Sequence, residues 1–162
     1  MAQVDYFLKV KDVDGESTDD KHPKEIEIES WSVGGTNAAS FSSGGGGGTG
    51  RVALGDFHFT KKTCNASAKL FSHCCTGEHI GEVTLTCRKA GKDQQEFLVI
   101  VLTNAVVSSF QSGGSSGSDV LPMDQVALGF GKIEYKYKPQ KPDGSLGGEV
   151  VGGWDVTTNK AV

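Results

Sequence analysis

Histidine and cysteine carry the widest chemical repertoire in this 162-residue chain, and four of them fall close together at His73, Cys74, Cys75 and His79. A soft-metal site needs such thiolates and imidazoles turned toward a common point. On a helix, adjacent Cys74 and Cys75 diverge by about 100°, and the C-x-x-C spacing that brings two thiolates together is missing. Nothing in the sequence brings Cys64 or Cys87 to them, so no metal is expected. Residues 45–52 read G-G-G-G-T-G-R-V. The two outer glycines fit a phosphate-binding loop, but Arg51 and Val52 stand where its lysine and hydroxyl residue belong, and a strand follows instead of a helix. Asp19 with Asp20, and the row Glu25, Glu27 and Glu29, read as an ordinary solvated face without a catalytic pair. The serines and histidines read as forming no nucleophile elbow, and Asn65-Ala66-Ser67 is a glycosylation sequon without a secretory signal to make it usable. The expectation is a protein with no catalytic residues and no cofactor, not an enzyme.

Composition narrows the remaining classes. With 36% hydrophobic and 22% charged residues and 23 glycines, the chain is globular in character with Gly-rich connections. Its length suits one domain, expected to span residues 1–162. A formal charge of −4 leaves no basic excess to offset phosphate repulsion, which argues against nucleic acid. No apolar run approaches the roughly 20 residues needed to cross a bilayer. Residues 1–11 read as an alternating strand and not as a signal peptide, so synthesis is expected in the cytoplasm, with any export by a route that cleaves no signal. The four cysteines are too few and too unevenly spaced for a disulfide scaffold, and reduced thiols are expected.

The elements that must position any site are mostly strands. Val4, Tyr6, Leu8 and Val10 alternate with polar residues, with Phe7 as the exception, and residues 12–24 read as a charged loop. Ile26 and Ile28 share one parity while Trp31 and Val33 fall on the other. That slip means either a bulge near Glu29 or Ser30, or a strand passing from one packing environment to another. Both readings turn Ser30 and Ser32 toward something other than the core. Residues 34–50, with five consecutive glycines, read as a long flexible loop, uncommon in a compact domain unless it is functional. A strand over residues 51–60 buries Phe57 and Phe59. Asn65 or Ser67 caps a helix running to about Cys75, with Leu70, Phe71 and Cys74 as its apolar stripe and Gly77 as its stop. Residues 83–87 and 96–102 form a hairpin, 106–110 continue as strand, and 111–119 form a second polar loop. Residues 126–137 read as one long strand with a kink or bulge around Gly131, and 150–158 as a final strand carrying Trp154. Many short strands with one helix imply a mainly β chain, an antiparallel barrel or sandwich.

Taken in order, Gly15-Glu16-Ser17, His22 before Glu25-Ile26, Trp31-Ser32, the Gly-rich loop, Phe57 and Phe59 before Thr60-Lys61, Lys89-Ala90-Gly91, Val107-Ser108-Ser109 and Pro139-Gln140-Lys141 carry a likeness. Nearly end to end, the chain resembles the Hcp family, the tube proteins of bacterial type VI secretion. It departs from the pattern in its cysteine-rich stretch 64–75 and at Val33. The resemblance implies a β-barrel protomer with one helix, assembling as a hexameric ring. Such rings stack into the inner tube of a contractile machine, capped by a spike and driven by a sheath, with small effector proteins carried in the lumen. It implies a secreted protein with no nucleic-acid partner and no membrane insertion. In that setting Ser30 and Ser32 are candidate lumen residues that contact cargo. Gly34, Gly44, Gly45, Gly46, Gly47, Gly48 and Gly50 are candidates for ring stacking, and Trp31, Phe57, Phe59 and Trp154 for core or interface packing. The alternatives are a monomeric β-sandwich that binds carbohydrate or protein, and a lipocalin-like carrier, which the large interior-parity residues argue against.

Overall fold

Period-two alternation becomes two antiparallel layers in the computed structural model, which describes residues 3–38, 51–117 and 121–162. The outer layer contains β1 (Val4–Val10), β2 (Ile26–Glu27), β7 (Ile80–Lys89) and the first half of β8 (Glu96–Gly113), joined by the second half of β9 (Met123–Tyr137), β10 (Val150–Asp155) and β11 (Lys160–Ala161). The other layer is β3 (Ser30–Ser32), β6 (Phe57–Lys62), the first half of β9 and the second half of β8. A separate ribbon pairs β4 (Gly35–Asn37) with β5 (Val52–Leu54). The helix α1 (Ala66–Thr76) packs on β8.

The two long strands tie the layers together. β8 keeps one edge of β9 along nearly its whole length, while β6 takes the other edge at Phe57↔Leu128 and β10 takes it at Asp155↔Lys132. The change of partner spans Gly129 and Gly131. The kink or bulge expected around Gly131 is thus a partner switch inside an unbroken strand, and the Gly131 carbonyl accepts a bond from the Val156 N–H.

Core residues come from the inner parities of both layers: Leu8, Val83, Leu85, Ile100 and Leu102 from one, Phe57, Phe59, Val126 and Leu128 from the other. Trp31 stacks on Phe57 at 6.2 Å, and Phe57 lies 6.2 Å from Phe59. Truncating such a buried phenylalanine to alanine costs about 3–5 kcal/mol.

Several expectations change. The slip after Ile28 is a change of environment, not a bulge, because β2 pairs with β1 and β3 pairs with β6. The strand expected over 51–60 divides into β5 and β6. β8 runs through Gly113, using residues expected in a loop, and the last strand is shorter than expected, followed by a turn and β11. Gly77, at φ +72°, ends the helix as expected, donating to the His73 carbonyl. Asn65 makes no capping bond and instead donates to the Gly15 carbonyl. Phe71 is not part of a buried stripe: it is 56% exposed and meets Phe110 edge-on at 5.8 Å. Phe7 is buried because residues 12–24 pack down as a cover instead of remaining a free loop. His22 stacks on it at 4.5 Å and the Arg88 guanidinium lies 4.7 Å above its ring. Gly15 is required there, since a Cβ would collide with the Glu25 carbonyl.

Candidate functional site

Register across the inner four strands builds a polar face of hydroxyls, amides and one imidazole. Ser30 opposes Thr60, Thr60 opposes Gln125 and Gln125 opposes Gln111, one row crossing β3, β6, β9 and β8. Two residues along, Ser32, His58, Ala127 and Ser109 form a second row. The residues between the rows, Trp31, Phe59, Val126 and Phe110, have the opposite parity and point to the core. Alternation therefore does two jobs: it anchors the sheet and presents hydroxyls and amides on its free side. Ser30 and Ser32 are exposed, and the Ser30 and Thr60 hydroxyls share a hydrogen bond of 2.6 Å. The rows line a shallow groove of about 340 Å³. Charged side chains stand at its margins. Glu29 and Lys62 lie 3.9 Å apart at one end, and Asp56 accepts from Ser108 at 2.6 Å at the other.

Both edges of this four-stranded sheet are open among the described residues. β3 pairs only with β6, and beyond Ala105 β8 pairs only with β9.

A second polar cluster, missed by sequence reasoning, lies inside. Lys61 and Asp124 are both fully buried, with Nζ donating to Oδ2 at 2.7 Å, to Ser67 Oγ at 2.6 Å and toward Cys64 Sγ at 3.4 Å. Thr63 and Ser67 also donate to the carboxylate. Burial pushes Asp124 up, but donors from Lys61, Ser67, Ser112 and Thr63 outweigh it and hold the carboxyl at about 2. A carboxylate that weakly basic gives Ser67 no useful general base, so the cluster joins α1 to β6 and β9 instead of activating a nucleophile. The alternation of Phe57, Phe59 and Lys61 places the lysine on the inner parity, the one signal that marks it.

Arg88 makes the corresponding staple on the outer layer. It donates to both carboxylate oxygens of Asp19 at 2.9 and 2.8 Å and to Asp5 at 3.2 Å. The bond from Arg88 is the main cause holding Asp19 at about 2. His22 bridges Glu25 at 2.8 Å and Glu96 at 2.6 Å.

The remaining sequence candidates separate. Residues 113–117 do spell the G-x-S-x-G of a nucleophile elbow, correcting the sequence reading; yet they lie exposed where β8 runs out, with no helix over the described residues that follow. Among the described residues no three histidine, cysteine, aspartate or glutamate side chains are grouped to hold a metal. Burial pushes the Cys87 thiol up to about 12, leaving a neutral packing group. Trp31, Phe57 and Phe59 meet in the core, and Trp154 is half-buried beside Ile133 on β9. Gly34 precedes the β4–β5 ribbon and its carbonyl accepts from Gly55, whereas Gly44, Gly45, Gly46, Gly47, Gly48 and Gly50 lie outside the described residues.

The family model described as "Type VI secretion system effector, Hcp" matches residues 7–137, taking in both layers and the polar face. The chain belongs to the Hcp family. Protein hcp1 of Pseudomonas aeruginosa is 42% identical over 158 residues, which is 96% of this chain and 97% of that relative. A solved structure of a type six secretion system protein superposes with a TM-score of 0.93 at 32% identity, covering 99% of this chain and 100% of the other. Hcp1 from Salmonella typhimurium gives a TM-score of 0.79 at 31% identity over the whole of both chains. This Hcp-family chain is accordingly a type VI secretion protein, mainly β and antiparallel. Among the described residues no helix is long and apolar enough to cross a membrane.

Proposed function

We propose that this Hcp-family chain is a non-enzymatic tube subunit, acting as one domain over residues 1–162. It closes into a hexameric ring whose lumen is lined by the rows beginning at Ser30 and Ser32. The observation that carries this reading is the four-stranded sheet with one polar face and, among the described residues, two open edges. Unpaired edge strands seek partners, and a β3 edge meeting the β8 edge of the next copy is a heterologous contact that repeats until it closes. The hydroxyl and amide rows then run on from copy to copy. They offer effectors a wall without fixed charge or large apolar patches. The β4–β5 ribbon, with Gly34 at its base, is the element for ring-on-ring stacking. Stacked rings form the tube that a contracting sheath drives outward behind a spike, and the chain is secreted with it. Trp154 belongs to interface packing.

Native mass spectrometry of the purified chain with a co-expressed small effector tests the reading. The expected result is a ring of about six protomers that carries cargo, with Ser32→Gln leaving the ring intact while reducing cargo occupancy at least several-fold. A strict monomer at high concentration overturns the ring and favours a binding module that uses the groove. Unchanged occupancy in the Ser32 variant removes the lumen assignment alone.

A further inference from the structure

The groove on the polar face holds one side chain that can change its charge. Its lining is otherwise hydroxyls, amides and apolar groups, and His58 is the only ionisable member. The row in which it stands explains how it is presented. His58 lies between Ser32 on β3 and Ala127 on β9, with Ser109 beyond on β8, so the imidazole is the one bulky side chain in a row of small ones. It is exposed, while Ala127 beside it is 4% exposed and forms the floor. Gln125, two residues from Ala127, stands diagonal to His58 across the β6–β9 pair, close enough for the two long side chains to reach one ligand.

The other three histidines are tied into their own fold. His22 is held between Glu25 and Glu96, His73 faces the Glu78 carbonyl and His79 meets Asn104, whereas His58 lines the groove. Fixed charges stay at the margins. Asp56, just before β6, and Lys62, at its end, stand about 7 Å and about 13 Å from His58 along the chain. Asp56 accepts from Ser108, and Lys62 faces Glu29. Across the sheet, β3 presents Ser30 and Ser32 to this side, β9 presents Gln125 and Ala127, and β8 presents Gln111 and Ser109. Lys61 and Asp124 lie on the opposite parity, fully buried.

We propose that His58 makes this face selective for acidic segments of the cargo. The inference rests on the reading of the face as the cargo wall and deepens it by naming the chemistry of the segment held there. The segment is acidic because the groove lining has no carboxylate to receive a basic one, and its one titratable group changes only from neutral to positive. Histidine makes that change between about pH 5 and about pH 8. A protonated imidazole donates from both nitrogens to a carboxylate, with the Ser32 hydroxyl and the Gln125 amide beside it as further donors. A neutral imidazole gives up the ion pair and leaves a wall with no charge preference. Closure into a ring repeats His58 once per copy, so a cargo with several acidic segments is held at several points, and its retention rises more steeply with acid than one pair allows.

The probe is a tetramethylrhodamine-labelled peptide of alternating glutamate and serine, with a lysine and serine peptide as control. Fluorescence anisotropy follows both in low salt at about pH 5.5 and about pH 7.5, on either side of the usual histidine transition. The acidic peptide should bind several-fold tighter at the lower pH, and the lysine peptide should not. His58→Asn should abolish the difference, and His58→Lys should hold the acidic peptide equally at both values; far-UV circular dichroism checks that each variant keeps its fold. An acidic peptide that binds at neither pH, or a difference that survives in His58→Asn, overturns the inference. Native mass spectrometry of the same samples separates the two readings. A ring in which the peptide result fails leaves the cargo wall standing without charge selection, whereas a monomeric wild type overturns the lumen reading and this inference with it.

Discussion

Lys61 occupies a position that its neighbours in sequence mark as apolar. It shares inner parity with Phe57 and Phe59, and its ammonium is held by Asp124, 63 residues away, with Ser67 completing the contact. A buried pair of this kind contributes modestly as a whole, but removing one member strands a charge at a cost of about 3–5 kcal/mol. Lys61→Met should therefore lower the urea midpoint sharply, while Lys61→Met with Asp124→Leu should recover most of it. Equal loss in the single and double variants would show that packing, not the orphaned carboxylate, sets the penalty. The pair was illegible beforehand because no local pattern links positions so far apart; the same holds for Arg88 with Asp19, 69 residues apart. Ser30 and Ser32 were legible because parity alone fixes which way they face.

Elements were legible in proportion to how far their pattern is local. The helix shows this at its C-terminal end. Gly77 takes φ +72° with open space where a Cβ would stand, so its conformation is the only reason for glycine. Gly77→Ala should cost about 1 kcal/mol through left-handed strain alone, read as a lower thermal midpoint with unchanged assembly; no shift would mean that the last turn relaxes freely. Phe71, on the same helix, was misjudged because a helical stripe marks apolar residues without saying what covers them. The burial of Phe7 depends on a loop folding back, and β11 is two residues long, too short to leave a period. β8 outran its expected end because Gln111, Ser112 and Gly113 look like loop residues when one face of their sheet is meant to be polar.

At the scale of the whole molecule, acid stability follows from the two staples. Asp19 and Asp124 sit at about 2 in the folded chain, below the 3.8 of an ordinary aspartate. As pH falls, the unfolded chain takes up these protons first, so both contributions are present above about pH 5 and lost toward about pH 2. The thermal midpoint should be level from neutral pH to about 5 and then fall. A midpoint that rises on acidification through that window would show that repulsion among the exposed carboxylates outweighs both staples. The two layers also make a mechanical statement. They are joined by β8 and β9, whose ladder of bonds lies across the strand direction. A pull that draws one layer away from the other along these strands is carried by two continuous backbones, so it meets covalent bonds and not a seam of hydrogen bonds that could open one at a time. A chain built this way resists being drawn apart lengthwise.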